Sequence, residues 1–137
     1  MLKLEHANLS VTDVAAMTRF ITVAFPEFTI RGEGHDDAGR LWRHVGNDSF
    51  YLALQAVPSR RDRQPYGNDT GLNHLGWEVG DVAAVESRLR HAGFEPNLHV
   101  DSHPARRRVY FHDPEGNDWE FVQYLTDDPR ARHDYDL

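Results

Sequence analysis

The sequence predicts an α+β protein of two βαβββ modules, whose curved mixed sheets surround a concave metal-binding cleft. Three observations predict it: an internal repeat, a strand-to-helix switch within each copy, and a spaced set of imidazole and carboxylate side chains. The repeat is direct. His6-Ala-Asn-Leu-Ser-Val-Thr-Asp-Val-Ala-Ala16 returns as His74-Leu-Gly-Trp-Glu-Val-Gly-Asp-Val-Ala-Ala84, with His, Val, Asp, Val, Ala and Ala matching without a gap. A period of this length marks a duplicated supersecondary unit.

In each copy an alternating stretch ends at an Asp that opens an amphipathic run. Asp13 and Asp81 suit the N-cap, because a short carboxylate accepts from the free amides of the first helical turn. The first helix is expected over 14–25, stopped by Pro26, with Val14, Met17, Phe20, Ile21 and Ala24 at helical spacing. The second is expected over 82–91, with Val82, Val85 and Leu89 inward and Gly93 as its C-terminal stop. Three strands follow each helix: 28–31, 41–45 and 50–57 in the first copy, and 95–100, 108–112 and 119–124 in the second. Residues 31–40 read as a mobile loop, 58–71 as an Arg-, Asp-, Pro- and Gly-rich linker, and Asp113-Pro114-Glu115-Gly116-Asn117 as a tight turn. The expected organisation is one domain over 1–125, made of repeats at about 2–57 and 72–125, and a loosely ordered polar tail over 126–137.

Composition narrows the function classes. The 137 residues contain no cysteine, which removes disulfides, thiolate metal sites and cysteine nucleophiles together. Net charge is −7 with Arg and Lys scattered, a poor match to phosphate-driven nucleic-acid binding. No apolar run approaches the roughly 20 residues of a membrane span. The first residues enter a strand pattern without a signal-like apolar core. These features give the expectation of a cytoplasmic protein with no nucleic-acid or membrane partner.

Side chains alternate across a strand, so one face is read from every second residue. With Ala7, Leu9 and Val11 turned to the helix, His6, Asn8 and Ser10 face the other way. Leu75, Trp77 and Val79 leave His74 and Gly76 opposite. Trp119 and Phe121 pack, so Glu120 points away. Phe50, Leu52 and Leu54 pack, so Tyr51, Ala53 and Gln55 share the open face. His6, Gln55, His74 and Glu120 therefore lie on faces that no helix covers. Two imidazoles and a carboxylate can fill one face of an octahedral ion and leave positions for water or substrate. Gln55 is a candidate fourth ligand through its amide oxygen. A nitrogen and oxygen donor set leaves the metal open among Ni, Mn, Fe, Co and Zn. Tyr51 and Asn8 are candidate substrate contacts.

The remaining polar residues carry plainer expectations. Trp77 and Trp119 read as anchors between sheet and helix. His35, His44, His91, His99, His103, His112 and His133 read as surface or turn residues. Arg60, Arg61 and Arg63 fit a solvated linker. For Arg106, Arg107 and Arg108 two readings stand: a grip on an anionic substrate, or a solvated strand edge.

The doubled strand-Asp-helix pattern, with His6, His74, the Asp113 to Asn117 turn and Glu120, resembles the vicinal oxygen chelate superfamily of glyoxalases, bleomycin resistance proteins and dioxygenases. The resemblance runs from about Leu2 to Tyr124. It implies metal ligands on the first and last strand of each module, which carries over as His6, Gln55, His74 and Glu120, with Ala53 as the alternative position on the fourth strand. It also implies a homodimer, often with sites shared between chains, and a small-molecule substrate; loops 31–40, 58–71 and 100–107 are the segments expected to contact it. The activity it implies is that of a glyoxalase-type lyase or isomerase. The metal chelates two neighbouring substrate oxygens and stabilises an enolate, with Glu120 as the catalytic base. An amide cannot serve as a base, so Gln55 argues against a two-base scheme. Two alternatives come with the family: an Fe(II) extradiol-type dioxygenase using the same His, His and Glu, and a non-catalytic protein that sequesters an antibiotic. For transfer chemistry on a phosphonate the sequence offers no serine-rich run, and Lys3 is its single lysine.

Overall fold

The computed structural model describes residues 1–62, 64, 66–100 and 102–136, with the side chains of His99 and Val100 excepted. The linker reading of Arg63 and the surface reading of His99 lie outside the described residues. The chain divides into two compact units, Met1–Asp62 and Arg63–Leu137.

In the first unit the order is β1 (His6–Val11), α1 (Val14–Ala24), β2 (Thr29–His35), β3 (Leu41–Gly46) and β4 (Tyr51–Ala56). The strands form one mixed sheet in the order β1-β4-β3-β2. β1 runs parallel to β4, and the other neighbours are antiparallel. Asp13 caps α1 by accepting from the Ala16 amide at 2.8 Å. Val14, Met17, Phe20, Ile21 and Ala24 form the buried stripe of the helix. The sheet contributes Val11, Val45, Leu52 and Leu54 to the same core. The alternation that buries these residues turns His6, Asn8, Tyr51 and Gln55 to the opposite face.

Residues 31–40 depart from the expected mobile loop. β2 continues through Gly32 and Gly34 to His35 and pairs with β3 across a bulge near Arg31. The two glycines admit the Trp42 ring: a Cβ at Gly34 would lie only 2.8 Å from Trp42 Cζ2. The turn is then fixed by Asp36, whose carboxylate accepts from the Ala38 and Arg40 amides and from the Arg40 side chain, each at 2.9 Å. A segment rich in Gly and charge looks like a loop, but here the glycines clear space for an aromatic ring.

The second unit repeats the plan with β5 (His74–Glu78), α2 (Val82–His91), β6 (Pro96–Val100), β7 (Arg106–His112) and β8 (Asp118–Tyr124). Sheet order is β5-β8-β7-β6, again with the first pair parallel. Asp81 accepts from the Ala84 amide at 3.0 Å, and α2 buries Val82, Val85 and Leu89. Gly93, at φ 94°, ends the helix where only glycine turns cheaply. Trp119, Phe111 and Phe121 are fully buried, and Trp77 stacks on Trp119 with centroids 5.6 Å apart. The architecture is α+β with two four-stranded mixed sheets, as the repeat predicts.

The tail also departs from expectation. Asp128 caps a short helix, α3 (Pro129–Arg132). Arg132 donates to Glu78 at 2.7 Å and lies 4.0 Å over the Tyr124 ring, while Arg106 donates to the Arg132 carbonyl at 3.0 Å. His103, expected at the surface, is buried: its Nδ1 accepts from the Ala105 amide, and its Nε2 lies 3.0 Å from the Asp134 carbonyl. A polar composition hid these pairs because each joins residues far apart in sequence.

Candidate functional site

On β8, Trp119 and Phe121 go to the core, which leaves Asp118, Glu120 and Val122 on the open face. The parallel register sets His74 beside Asp118 and Gly76 beside Glu120. Gly76 carries no side chain, and a Cβ there would lie 3.8 Å from Glu120 Oε2. The carboxylate thus swings toward the imidazole one step along the strand. His74 Nε2 and Glu120 Oε2 are 3.1 Å apart.

The other ring nitrogen determines how that pair is read. His74 Nδ1 lies 2.7 Å from the Asn73 amide oxygen. That oxygen only accepts, so Nδ1 carries a hydrogen. Nε2 then meets the carboxylate either as a second N–H, with the ring cationic, or through its lone pair with a cation between. Two donors each about 2.1 Å from one ion, at right angles, are separated by about 3 Å, so the observed spacing fits a chelating pair. A ligating His ordinarily gives its second N–H to a neighbouring oxygen, as Asn73 provides here.

Around the pair stand further groups, of which Tyr110, Tyr66 and Asp118 had no role in the sequence reading. Tyr110, cross-strand to Glu120, is buried, and burial together with the Glu120 carboxylate pushes its phenol up to about 12. His74 meets Tyr110 edge-on at 5.9 Å and stacks against Tyr66 at 6.0 Å. Tyr66 sits at φ 64°, and burial followed by the Asp118 carboxylate raises its phenol. Asp118 is 1% exposed; Oδ1 accepts from Asn97 Nδ2 at 3.0 Å, while Oδ2 has no hydrogen-bond partner among the described residues. Arg108 Nη1 lies 3.8 Å from Glu120 Oε1. Arg106, Arg108, Tyr110 and His112 share one face of β7, so alternation alone was enough to find Tyr110.

In the first unit His6 stacks on Tyr51 with centroids 4.8 Å apart, and its Nδ1 pairs with the Glu5 carboxylate. Tyr51 also meets His44 at 4.7 Å, and Arg31 lies 4.5 Å over its ring. His44, expected as a surface residue, is half-buried in this stack. Asn8 is exposed beside Ala53.

Gln55 lies away from the position equivalent to Glu120. Register pairs Asn8 with Ala53 as it pairs Gly76 with Glu120, so Ala53 holds the place equivalent to Glu120. Gln55 pairs with Ser10, one step further on, and donates to Asp36 Oδ2 at 3.3 Å. That bond to the β2–β3 turn uses the amide nitrogen of Gln55. Among the described residues, no three or more His, Asp and Glu side chains are gathered as a metal set. The convergence that the structure shows is the His74–Glu120 pair.

Two βαβββ modules, the second with an imidazole and a carboxylate together on its open face, define the class of α+β fold. The chain belongs to the Glyoxalase/Bleomycin resistance protein/Dioxygenase superfamily, whose family model matches residues 3–121. It is 25% identical over 117 residues to the uncharacterized protein YaeR of Escherichia coli (strain K12), covering 83% of this chain and 90% of that protein. Among solved structures it resembles a glyoxalase family protein from Enterococcus faecalis, with TM-score 0.72, 22% identity, and 88% and 96% of the two chains covered. It also resembles a mutant of the fosfomycin resistance protein FosX from Listeria monocytogenes, complexed with Mn(II) and 1S,2S-dihydroxypropylphosphonic acid. There the TM-score is 0.69, with 18% identity and 88% and 91% coverage. No helix among the described residues is long and apolar enough to cross a membrane.

Proposed function

We propose that the protein is a divalent-metal-dependent lyase or isomerase of the glyoxalase (lactoylglutathione lyase-like) type, acting on a small molecule with neighbouring oxygens. The observation that carries this is the His74 Nε2–Glu120 Oε2 convergence at 3.1 Å, with the His74 Nδ1 hydrogen held by Asn73. His6 is the proposed third ligand. Its Nδ1 is tied to the preceding residue, Glu5, as His74 Nδ1 is tied to Asn73. Gln55 stands outside the set. The FosX neighbour's Mn(II) and dihydroxy ligand support a fold that accommodates an ion with an oxygenated molecule. The working form is proposed to be a homodimer.

A bound Ni, Mn, Fe, Co or Zn ion supplies Lewis-acid stabilisation to charge developing on the substrate oxygens. The chain's own residues do the rest. Glu120, half of the pair and only 15% exposed at its side chain, accepts the proton from the substrate carbon and returns it to the neighbouring one. Tyr110, with its phenol pushed up to about 12, remains a hydrogen-bond donor at neutral pH and orients the Glu120 carboxylate. With Ala53 where a second carboxylate would stand, one base serves both half-reactions.

The test is elemental analysis of dialysed protein reconstituted with each of the five ions, beside a His74→Ala variant, followed by turnover of glutathione hemithioacetals in deuterated solvent. About one ion per chain, lost in the variant, together with turnover that retains substrate hydrogen in part, is expected of a one-base enzyme. Absence of tight metal under every condition, or metal binding without turnover, overturns the assignment.

A further inference from the structure

β7 turns Arg106 and Arg108 to the open face of the second unit, and Arg107 to the other side. Arg106 is engaged: it donates to the Arg132 carbonyl and lies 5.6 Å over the Tyr135 ring. Arg108 is not. Its side chain is 24% exposed, its Nε is buried without a hydrogen-bond partner among the described residues, and its contact with Glu120 spans 3.8 Å, too long for a hydrogen bond. Buried donors in folded proteins are almost always satisfied, so Arg108 Nε calls for an acceptor that none of the described residues supplies.

From this geometry we infer that Arg108 is an oxyanion-binding position, and that the molecule handled here carries a carboxylate or phosphate group beside its neighbouring oxygens. The inference deepens the metal-dependent reading and rests on it for the chelating half alone. Charge balance supports it. With Glu120 and the buried Asp118 set against a divalent ion, Arg106 and Arg108, the open face of the second unit keeps a positive surplus. A neutral substrate leaves the surplus uncompensated, whereas an anionic group and the oxygen charge that develops in the reaction cancel it. Guanidinium is also the side chain whose planar fork matches carboxylate and phosphate oxygens in pairs. Because Nη1 lies within 4 Å of Glu120, an anion held there belongs to the same small molecule that Glu120 touches.

The test uses the full chain, metal-free and Mn(II)-loaded, in calorimetric titrations with glycerol, glycerate, glycerol phosphate and inorganic phosphate. Glycerate and glycerol phosphate separate the carboxylate source from the phosphate source. Wild type is compared with Arg108→Gln, Arg108→Lys and, as a control on the opposite face, Arg107→Gln. Anionic probes are expected to bind the Mn(II) form at least about tenfold more tightly than glycerol. Arg108→Gln should abolish that gap while leaving Mn(II) content and glycerol affinity unchanged, Arg108→Lys should restore part of it, and Arg107→Gln should keep it. Equal affinity for glycerol and the anions, or a gap that survives Arg108→Gln, overturns the inference. If Mn(II) does not bind but phosphate binds the metal-free chain through Arg108, the anion site stands and the metal-dependent reading falls.

Discussion

The two modules share a plan and differ in what their open faces carry. In the second, β8 sets Glu120 against His74, with Tyr110 and Arg108 across the strand pair. In the first, the equivalent of Glu120 is Ala53, and the same face is a run of rings: Tyr51 against His6 on one side and His44 on the other. The copies also differ at the turn before their last strands. Asn47 holds the β3–β4 turn by accepting two backbone amides on its amide oxygen. Asp113 holds the β7–β8 turn by accepting four hydrogen bonds, from the Glu115 and Asn117 amides, Asn117 Nδ2 and Trp119 Nε1. One module brings a carboxylate against an imidazole and has a turn held by four hydrogen bonds. The other presents stacked rings on a lighter frame.

If chemistry is confined to the charged face, the largest effect comes from its carboxylate. Glu120→Gln should lower Mn(II) affinity by more than about 1000-fold, beyond the 10–100-fold that loss of an outer partner costs. Tyr51→Phe, on the ring face, should change it by less than about threefold. Both are read by competition with a chelator, with circular dichroism confirming the fold. Comparable losses in the two variants would erase the contrast.

The two turns give the next largest contrast. Asp113→Ala strips acceptors from four donors in a buried setting and should cost about 3 kcal/mol in urea unfolding, while Asn47→Ala should cost about 1 kcal/mol. Burial raises the Asp113 carboxyl even though its hydrogen bonds pull it down. The folded chain therefore holds that proton more tightly than the unfolded chain. The Asp113 contribution to stability weakens as pH rises from the unfolded value near 3.8 and levels off above the folded one. Wild type should show this slope in acid and Asp113→Ala should not.

A third effect is spectroscopic. Burial is the larger cause of the raised Tyr110 phenol and Glu120 the smaller. Glu120→Gln should therefore bring its ionisation only part of the way from about 12 toward 10, followed by phenolate absorbance. An unmoved titration would separate Tyr110 from the carboxylate.

Much of this was legible in the sequence because local chemistry set it. The Asp13 and Asp81 caps, the helical stripes and the strand alternation of the repeat fixed both modules and the face on which His74 and Glu120 fall. What escaped depends on partners distant in the chain. Gly32 and Gly34 read as loop residues until Trp42, on the next strand, fills the space above them. His103 reads as a surface residue until the Asp134 carbonyl meets it. On the fourth strand Gln55 and Ala53 both stayed open, because alternation gives the side of a strand and not the partner across it.

That choice between Gln55 and Ala53 yields the smallest and sharpest prediction. Gln55→Ala should leave Mn(II) affinity within about twofold and cost about 1 kcal/mol of stability through the lost Asp36 contact. Ala53→Glu should act in the opposite sense. It restores in the first module the arrangement that Gly76 and Glu120 make in the second, placing a carboxylate one strand from His6. If His6 is a ligand, the added oxygen tightens Mn(II) binding by about tenfold, a change of about 1.4 kcal/mol. Ala53 is only 5% exposed, so the variant is checked for a wild-type unfolding midpoint before its affinity is read. A well-folded Ala53→Glu chain with unchanged affinity would confine metal binding to the second module, with His6 serving only the ring stack.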